Sequence, residues 1–281
     1  MPSIDKLQQI ASQVRRDILR MTHGVQSGHP GGSLGCTEFI TALYFEVMKH
    51  NSREFTMDAI MEDIFILSIG HISPVWYSVL AHSGYFDVKE LSTFRKINSR
   101  LQGHPATHEK LPGVRVATGS LGQGMSVAIG AALTKKLNND PHLIYSLHGD
   151  GEIQEGQIWE AAMFASAHKV DNLIATIDVN GQQIDGPVEK VLPEGDLKAK
   201  WESFGWKVLA MNGNVFDEVL STLKLAKAET GKGVPVMILM KTSMGRGVDF
   251  MEGSYKWHGV APNDDQLKTA LAQIPETLGD Y

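Results

Sequence analysis

The chain has 281 residues, 42% hydrophobic and 21% charged, which excludes a disordered or fibrous protein and admits one large domain or two closely joined ones. Twenty-six Lys and Arg against 32 Asp and Glu leave a formal charge of −6, so no broad basic field exists to hold nucleic acid or an anionic membrane. Its only cysteine, Cys36, excludes a disulfide framework and a thiolate metal cluster and points to a cytoplasmic location, and MPSIDKLQQIASQVRRDIL at the N-terminus fits neither a signal peptide nor a membrane span.

Apolar Leu7, Ile10, Ala11, Val14, Ile18 and Met21 recur at helical spacing and predict a docked amphipathic helix from about 4 to 23. SGHPGGSLG at 27–35 reads as a turn-rich loop, after which TEFITALYFEVMKH resumes a helix to about 50. DIFILSIGH, 63–71, predicts a buried strand running into a Gly-His loop, followed by a helix around Val75 to Leu80. Asp87 and Glu90 have the spacing of a reciprocal helix cap. Residues 95–120 lack periodicity and read as a long loop, a length that in a compact domain is usually functional.

The second half alternates more regularly. GQGMSVAIGAALTKKL predicts a helix, LIYSL at 143–147 a strand, EGQIWEAAMFASAHK a helix and NLIATID at 172–178 the next strand, which together make a βαβ unit. WKVLAMNG, the stretch from Asn214 to Lys227 and VPVMILMK at 234–241 add strand, helix and strand, with Asn214 and Asp217 as a capping pair. PNDDQLKTALAQI predicts a last helix. The fold class is therefore α/β, with a mostly parallel central sheet and helices on both faces.

Six of the 11 histidines, His23, His29, His71, His104, His148 and His258, adjoin a glycine, which places imidazoles on tight loops that a ligand can reach. His50, His82, His108, His142 and His168, together with His23, are expected to have ordinary packing or surface roles. The sharpest local feature is His148-Gly-Asp150-Gly151-Glu152 directly after a strand. Ligands of open α/β sheets bind beyond the carboxyl ends of strands, so Asp150 is a candidate Mg²⁺ ligand there. One helix and one strand later comes Asp178-Val-Asn180-Gly-Gln182, and parallel neighbours would set Asn180 beside Asp150. Asp-Gly and Asn-Gly are also common turns, so each half alone is weak. Gly119-Ser-Leu-Gly122-Gln-Gly124 opens a helix, but neither the dinucleotide fingerprint nor a P-loop is present. Glu155 and Glu160 lie five residues apart on one helix and diverge too far to act as a carboxylate pair. Glu160 reads as a surface charge, and Glu155 sits where a helix dipole favours it.

SGHPGGSLG, SIGH at 68–71, GHP at 103–105, TGSLGQG at 118–124, GDGEIQEG at 149–156, IDVNGQQIDG at 177–186, KTSMGRG at 241–247 and WHG at 257–259, in this order, resemble the N-terminal diphosphate-binding domain of the transketolases. The resemblance covers at least residues 20–260 and implies one diphosphate-binding domain over 1–281 with the thiamin-diphosphate-binding fold. It implies Mg²⁺, with Ca²⁺ or Mn²⁺ able to substitute, on Asp150, Asn180 and the main-chain carbonyl of Gln182. Gly151 N–H, His71 and His258 would contact the diphosphate of thiamin diphosphate, and Gly119, Leu121, Ile184 and Met244 would line the cofactor cleft. His29, His104 and His258 would face the sugar's hydroxyls and reacting carbonyl, where near-neutral imidazoles can exchange protons. Glu155 would belong to a carboxylate network between paired active sites.

Ser120, Gly32-Ser33 and Ile69 depart from the usual family residues and leave the acceptor sugar open. Single-chain family members continue well beyond this length through a pyrimidine-binding domain and a third domain. The chain is thus expected to act as the N-terminal subunit of a split transketolase, transferring a two-carbon ketol unit from a ketose phosphate to an aldose, with a separate C-terminal subunit in an α2β2 assembly. A split deoxyxylulose-phosphate synthase and a non-catalytic scaffold that keeps the fold are the alternatives. Glu155-Gly156 and WHG favour transketolase over the first, and the intact Asp150, Asn180 and histidine set speaks against the second.

Overall fold

A computed structural model describes residues 3–281. Helix α1, Ile4–Gly24, starts where the Ser3 hydroxyl accepts from the Lys6 N–H and buries the six apolar positions its periodicity marks. It also buries Asp17, which accepts from the Ser78 hydroxyl at 2.7 Å and lies 2.8 Å from His82 Nε2, both on the later helix α4, Ser73–His82.

The expected loop at 27–35 is in part a helix: α2 spans Pro30–Gly35. Proline suits the first helical position because the N–H it lacks has no partner there. Gly31, Gly32 and Gly35 serve close approach rather than turning. A Cβ on Gly31 would lie 2.7 Å from both Met244 Cγ and the Trp257 carbonyl, and one on Gly32 would lie 2.9 Å from Ile72. Only Gly28 in this stretch has a positive φ, 136°. Helix α3, Thr37–Ala42, continues into a π-helical turn that ends at Val47, short of the expected 50.

Strand β1, Ile64–Leu67, is followed by a 3-10 turn, Gly70–Ile72, and by α4. Asp87 caps only a 3-10 helix, Val88–Thr93, through the Lys89 N–H. Glu90 does not answer it, because both its oxygens are taken by Arg100 at 2.8 and 2.7 Å. The long irregular stretch that follows contains one 3-10 turn, Thr107–Glu109. Helix α5, Gln123–Leu137, β2, Ile144–Gly149, α6, Gly156–Ala167, and β3, Leu173–Val179, follow as predicted.

Between β3 and the next long strand the chain makes a small hairpin, β4 Gln182–Gln183 with β5 Gly186–Pro187, then α7, Val188–Val191, and α8, Leu197–Ser203. Strand β6, Lys207–Asn212, helix α9, Phe216–Glu229, strand β7, Val236–Lys241, and helix α10, Asp264–Gln273, complete the chain. The expected Asn214/Asp217 cap does not form. The residue before α9 is Val215, while Asn214 instead donates to the Gly35 carbonyl at 2.9 Å and accepts from the Ser243 N–H at 2.8 Å. Those two bonds tie α2 to the segment after β7.

The five long strands form one parallel sheet in the order β1-β2-β3-β7-β6. Both faces are covered across β1, β2, β3 and β7, which is why those strands read as largely apolar runs, while the edge strand β6 keeps exposed positions. On one face α1, α3, α4, α9 and α10 enclose Phe65, Leu67, Tyr145, Leu147, Ile238 and Met240. On the other, α5, α6 and α8 enclose Ile66, Ile144, Ala175, Ile177 and Met237, with Trp201 and Trp206 filling the far end. β1, β2 and β3 step one way across the sheet. The chain then crosses to the far edge at β6 and returns inward to β7, so the carboxyl ends of β2, β3 and β7 open onto a crevice.

Candidate functional site

The crevice is a cavity of about 300 Å³. Parallel pairing sets Gly149 level with Asp178, and the Asp150 N–H donates to the Asp178 carbonyl at 3.2 Å. Asp150 is 3% exposed, and its oxygens accept from the Gly151 N–H at 2.8 Å and the Gly181 N–H at 2.6 Å. Asn180 accepts from the Gln182 N–H at 2.8 Å and donates its amide to Asp178 at 2.7 Å. Asp178 is held in turn by the Thr242 hydroxyl from the end of β7. Asp178, itself held from the end of β7, thus orients the amide of Asn180, and the Asn180 oxygen receives the Gln182 N–H. Asp178 has no place in the sequence-based site, and its spacing two residues before Asn180 is the only signal that could have marked it.

Burial, followed by the neighbouring Asp178 charge, pushes the Asp150 carboxyl up to about 8, against the pull of its two N–H donors. A divalent cation reverses that balance by supplying the missing opposite charge. Among the described residues no cluster of three or more His, Cys, Asp or Glu side chains forms a metal site by itself. Asp150 with neutral oxygens from Asn180 and a Gln182 carbonyl would leave Mg²⁺ dependent on ligand phosphate for the rest of its shell, the usual arrangement for that ion.

Four histidines close the other side. Ring centroids lie 5.0 Å apart for His29 and His71, 5.5 Å for His29 and His258, 5.1 Å for His71 and His258, and 6.3 Å for His29 and His104. His29 immediately precedes α2, where the Ser33 hydroxyl holds its carbonyl at 2.7 Å. The close approach at Gly31 brings the Tyr255–Trp257 turn, and with it His258, against His29. Gly119, at φ 126°, has no room for a side chain because a Cβ there would sit 2.7 Å from His104. Nδ1 of His29 and Nδ1 of His258 are buried without a partner.

Burial, then the charges that His258, Arg95 and His104 would carry, lowers His29 to about 4. Burial lowers His71 well below the ordinary range, and it lowers His258 and, with Arg95, His104. At neutral pH all four are uncharged, each with one donor and one acceptor nitrogen. The unfolded chain takes up protons below about pH 6.5 that these imidazoles refuse, so they reduce stability progressively on acidification from 6.5 toward 4 and contribute nothing above it. For His29 and His71 the slope is up to about 1.4 kcal/mol per pH unit in that window, whereas solvent screens the share of the exposed His104. His71→Asn is therefore expected to flatten the fall in urea midpoint between pH 6.5 and 4.5, and an unchanged slope would contradict the assignment.

All the sequence-predicted site residues but one line this cavity: His29, His71, His104, His258, Gly119, Leu121, Asp150, Gly151, Asn180, Gln182, Ile184 and Met244. The exception is Glu155, which is exposed just before α6 and outside the cavity. Glu152 and Gln183 also line it and carry no role in the sequence reading. A Cβ on Gly151 would meet the Gln183 amide oxygen at 2.7 Å, so Gly151 lets the hairpin close over the β2 exit. His148 is fully buried and lies 3.3 Å from Glu152. The remaining histidines are engaged elsewhere, among them His23 with Asp264, His82 with Asp17 and His142 with Asp140. Of the departures from the family pattern, Ser33 is buried on the His29 carbonyl, Ile69 faces the cavity and Ser120 is exposed.

The family profile described as "Transketolase, thiamine diphosphate binding domain" matches residues 7–275. The chain belongs to the transketolase family. It is 40% identical over 271 residues to the 6-deoxy-6-sulfo-D-fructose transketolase subunit SqwG of Clostridium sp. (strain MSTE9), covering 95% of this chain and 96% of that protein. It is 36% identical over 275 residues to an apulose-4-phosphate transketolase subunit of Actinobacillus succinogenes, covering 98% of each. Against human transketolase the identity is 36%, over 92% of this chain and 41% of that one. The crystal structure of transketolase from Campylobacter jejuni superposes with a TM-score of 0.89 at 36% identity, covering 97% of this chain and 43% of that chain. This transketolase-family chain thus spans nearly the whole of the separate subunits and about two fifths of the single-chain enzymes. Among the described residues, no helix is long and apolar enough to cross a membrane.

Proposed function

We propose that this chain is the N-terminal, diphosphate-binding subunit of a split transketolase that uses thiamin diphosphate and Mg²⁺. The observation that carries the reading is one cavity, at the ends of β2, β3 and β7, that joins Asp150, Asn180 and Gln182 to four uncharged histidines. The residues present fit the cofactor. A buried carboxyl without an opposite charge shares the cavity with Asn180 and Gln182, glycines line the β2 exit, and two imidazole nitrogens are buried without partners.

In this reading Asp150 and Asn180 hold Mg²⁺ through side-chain oxygens and Gln182 through its carbonyl, and Ca²⁺ or Mn²⁺ can replace it. The Gly151 N–H, His71 and His258 take the diphosphate, while Gly119, Leu121, Ile184 and Met244 shape the cleft around the cofactor. When bound, thiamin diphosphate supplies the electron sink for breaking a ketose carbon–carbon bond and carrying a two-carbon unit to an aldose. His29, His104 and His258 hold the sugar's hydroxyls and carbonyl oxygen. Being neutral, each can accept a hydroxyl proton on one nitrogen and donate from the other. Glu155, exposed in this chain, is covered in the assembly and belongs to a carboxylate network joining paired sites. A C-terminal subunit with a pyrimidine-binding domain and a third domain completes the active site, two copies of each forming α2β2.

Two similar subunits are named for 6-deoxy-6-sulfo-D-fructose and apulose-4-phosphate, so the donor tested should extend beyond common ketose phosphates. Complex purified through a tagged copy of this chain is offered a panel of ketose donors with an aldose acceptor and, separately, pyruvate with glyceraldehyde phosphate. Ketol transfer that requires Mg²⁺ and thiamin diphosphate is the expected result. Condensation with loss of carbon dioxide only from pyruvate would replace the reading with a deoxyxylulose-phosphate synthase type, and no turnover of any donor would favour a scaffold.

A further inference from the structure

One buried carboxylate ties together the three segments that form the floor of the cavity. Glu152, in the 3-10 turn Glu152–Gln154, is 1% exposed and faces the cavity. Its Oε1 accepts from the Ser68 hydroxyl and from the Gly122 N–H at 2.9 Å, and its Oε2 accepts from the Gly149 N–H at 3.1 Å. Nδ1 of His148 lies 3.3 Å from Oε2, and the other nitrogen of that imidazole is 2.9 Å from the Ser146 hydroxyl. Ser68 stands at the end of β1, just before Ile69 and His71, while Gly122 closes the turn that carries Gly119 and Leu121. Gly149 begins the run that carries Asp150 and Gly151. Packing leaves no slack at this junction: a Cβ on Gly124, in the first turn of α5, would sit 2.2 Å from the Ser68 hydroxyl.

We propose that Glu152 is a positioning residue for the cofactor diphosphate, its two oxygens setting the spacing between the His71, Gly119 and Asp150 segments. The proposal rests on the thiamin diphosphate reading above. A carboxylate is the only side chain of this length that accepts on both edges. The amide of glutamine keeps the shape, yet in either orientation it turns an N–H toward a backbone N–H: Gly149 in one, Gly122 in the other. A buried backbone donor is then unpaired and the segment carrying it moves away. Ser68 and His148 can adapt, because a hydroxyl rotates and an imidazole changes tautomer, whereas the two main-chain donors cannot.

The test uses the complex purified through this chain, with wild type, Glu152→Gln, Ser68→Ala and the exposed control Glu160→Gln. Steady-state rates are measured against thiamin diphosphate at fixed Mg²⁺, and thermal midpoints are recorded beside them. Glu152→Gln is expected to raise the apparent KM for thiamin diphosphate by about tenfold to a hundredfold, with kcat at saturating cofactor near wild type. Ser68→Ala keeps both main-chain contacts and is expected to raise that KM by less than about tenfold, and Glu160→Gln leaves it unchanged. A lowered thermal midpoint in Glu152→Gln with an unchanged cofactor KM overturns the proposal, since a merely structural role predicts that result. Should Glu152→Gln fail to assemble, Ser68→Ala decides alone, an unchanged KM counting against. Wild-type complex that binds no thiamin diphosphate overturns the proposed function itself, a result visible before any variant is made.

Discussion

Asp150→Asn is expected to abolish Mg²⁺-dependent retention of thiamin diphosphate by the purified complex and to lower ketol transfer by at least about a hundredfold, since losing a group that merely orients a metal ligand already costs up to that much. Asparagine preserves shape and one oxygen, so the hydrogen bond from Gly181 survives in weakened form while the negative charge is lost. Asp150 carries the only carboxylate among the proposed ligands, the others being an amide oxygen and a carbonyl. At 3% exposure, solvent screens the change only weakly. Equilibrium dialysis of the cofactor with and without Mg²⁺ reads the effect directly. A variant that retained cofactor as tightly as wild type would remove Asp150 from the metal site.

The second large effect is expected on the rate rather than on binding. His29 stands at the centre of the imidazole group, within 5.0 to 6.3 Å of the other three rings, and its buried Nδ1 has no partner in the protein. His29→Ala is expected to reduce kcat by about a hundredfold to ten-thousandfold, the range for loss of a positioned proton donor or acceptor. Cofactor affinity should change little, because the proposed diphosphate contacts are His71, His258 and Gly151. Single-turnover rates at saturating cofactor separate the two effects. Loss of cofactor binding with an intact single-turnover rate would move His29 from the sugar to the diphosphate.

The strands are legible in the sequence because a parallel sheet covered on both faces demands largely apolar runs, and IFIL, LIATI and VMILM are such runs. From them follow the βαβ unit and the meeting of Asp150 with Asn180, since parallel pairing leaves few ways to place two adjacent strand ends. The stretch from Gln182 to Ser203 is not legible. Its strands of two residues and helices of four and seven are too short to express a period, and they take their shape from contacts with the sheet. Pro30–Gly35 reads as loop because glycine usually marks a turn, whereas here three glycines let a helix approach Met244, the Trp257 carbonyl, Ile72 and the Ser243 carbonyl. Capping pairs fail where a stronger partner competes: Arg100 for Glu90, and the Gly35 carbonyl and Ser243 for Asn214.

The cavity residues are legible because short motifs carry them, and only Glu155 lies apart from the rest. Glu152 stands inside the sharpest local motif, yet nothing there marks its role, and the reason is physical. Its partners at Ser68, Gly122 and Gly149 come from segments up to 84 residues away, and sequence spacing cannot tell which loops converge on one carboxylate. Asp178 is hidden similarly, since its value lies in orienting Asn180 from a strand end that Thr242 also reaches.

The most direct test of the central claim is native mass measurement of the complex isolated gently through this chain, with Mg²⁺ and thiamin diphosphate kept present and every associated polypeptide identified. The predicted species contains two copies of this chain, two of a second polypeptide bearing a pyrimidine-binding domain, and one thiamin diphosphate with one Mg²⁺ for each copy of this chain. A chain found alone or only self-paired, with no cofactor bound, would contradict the assignment of this protein as the diphosphate-binding half of a split transketolase.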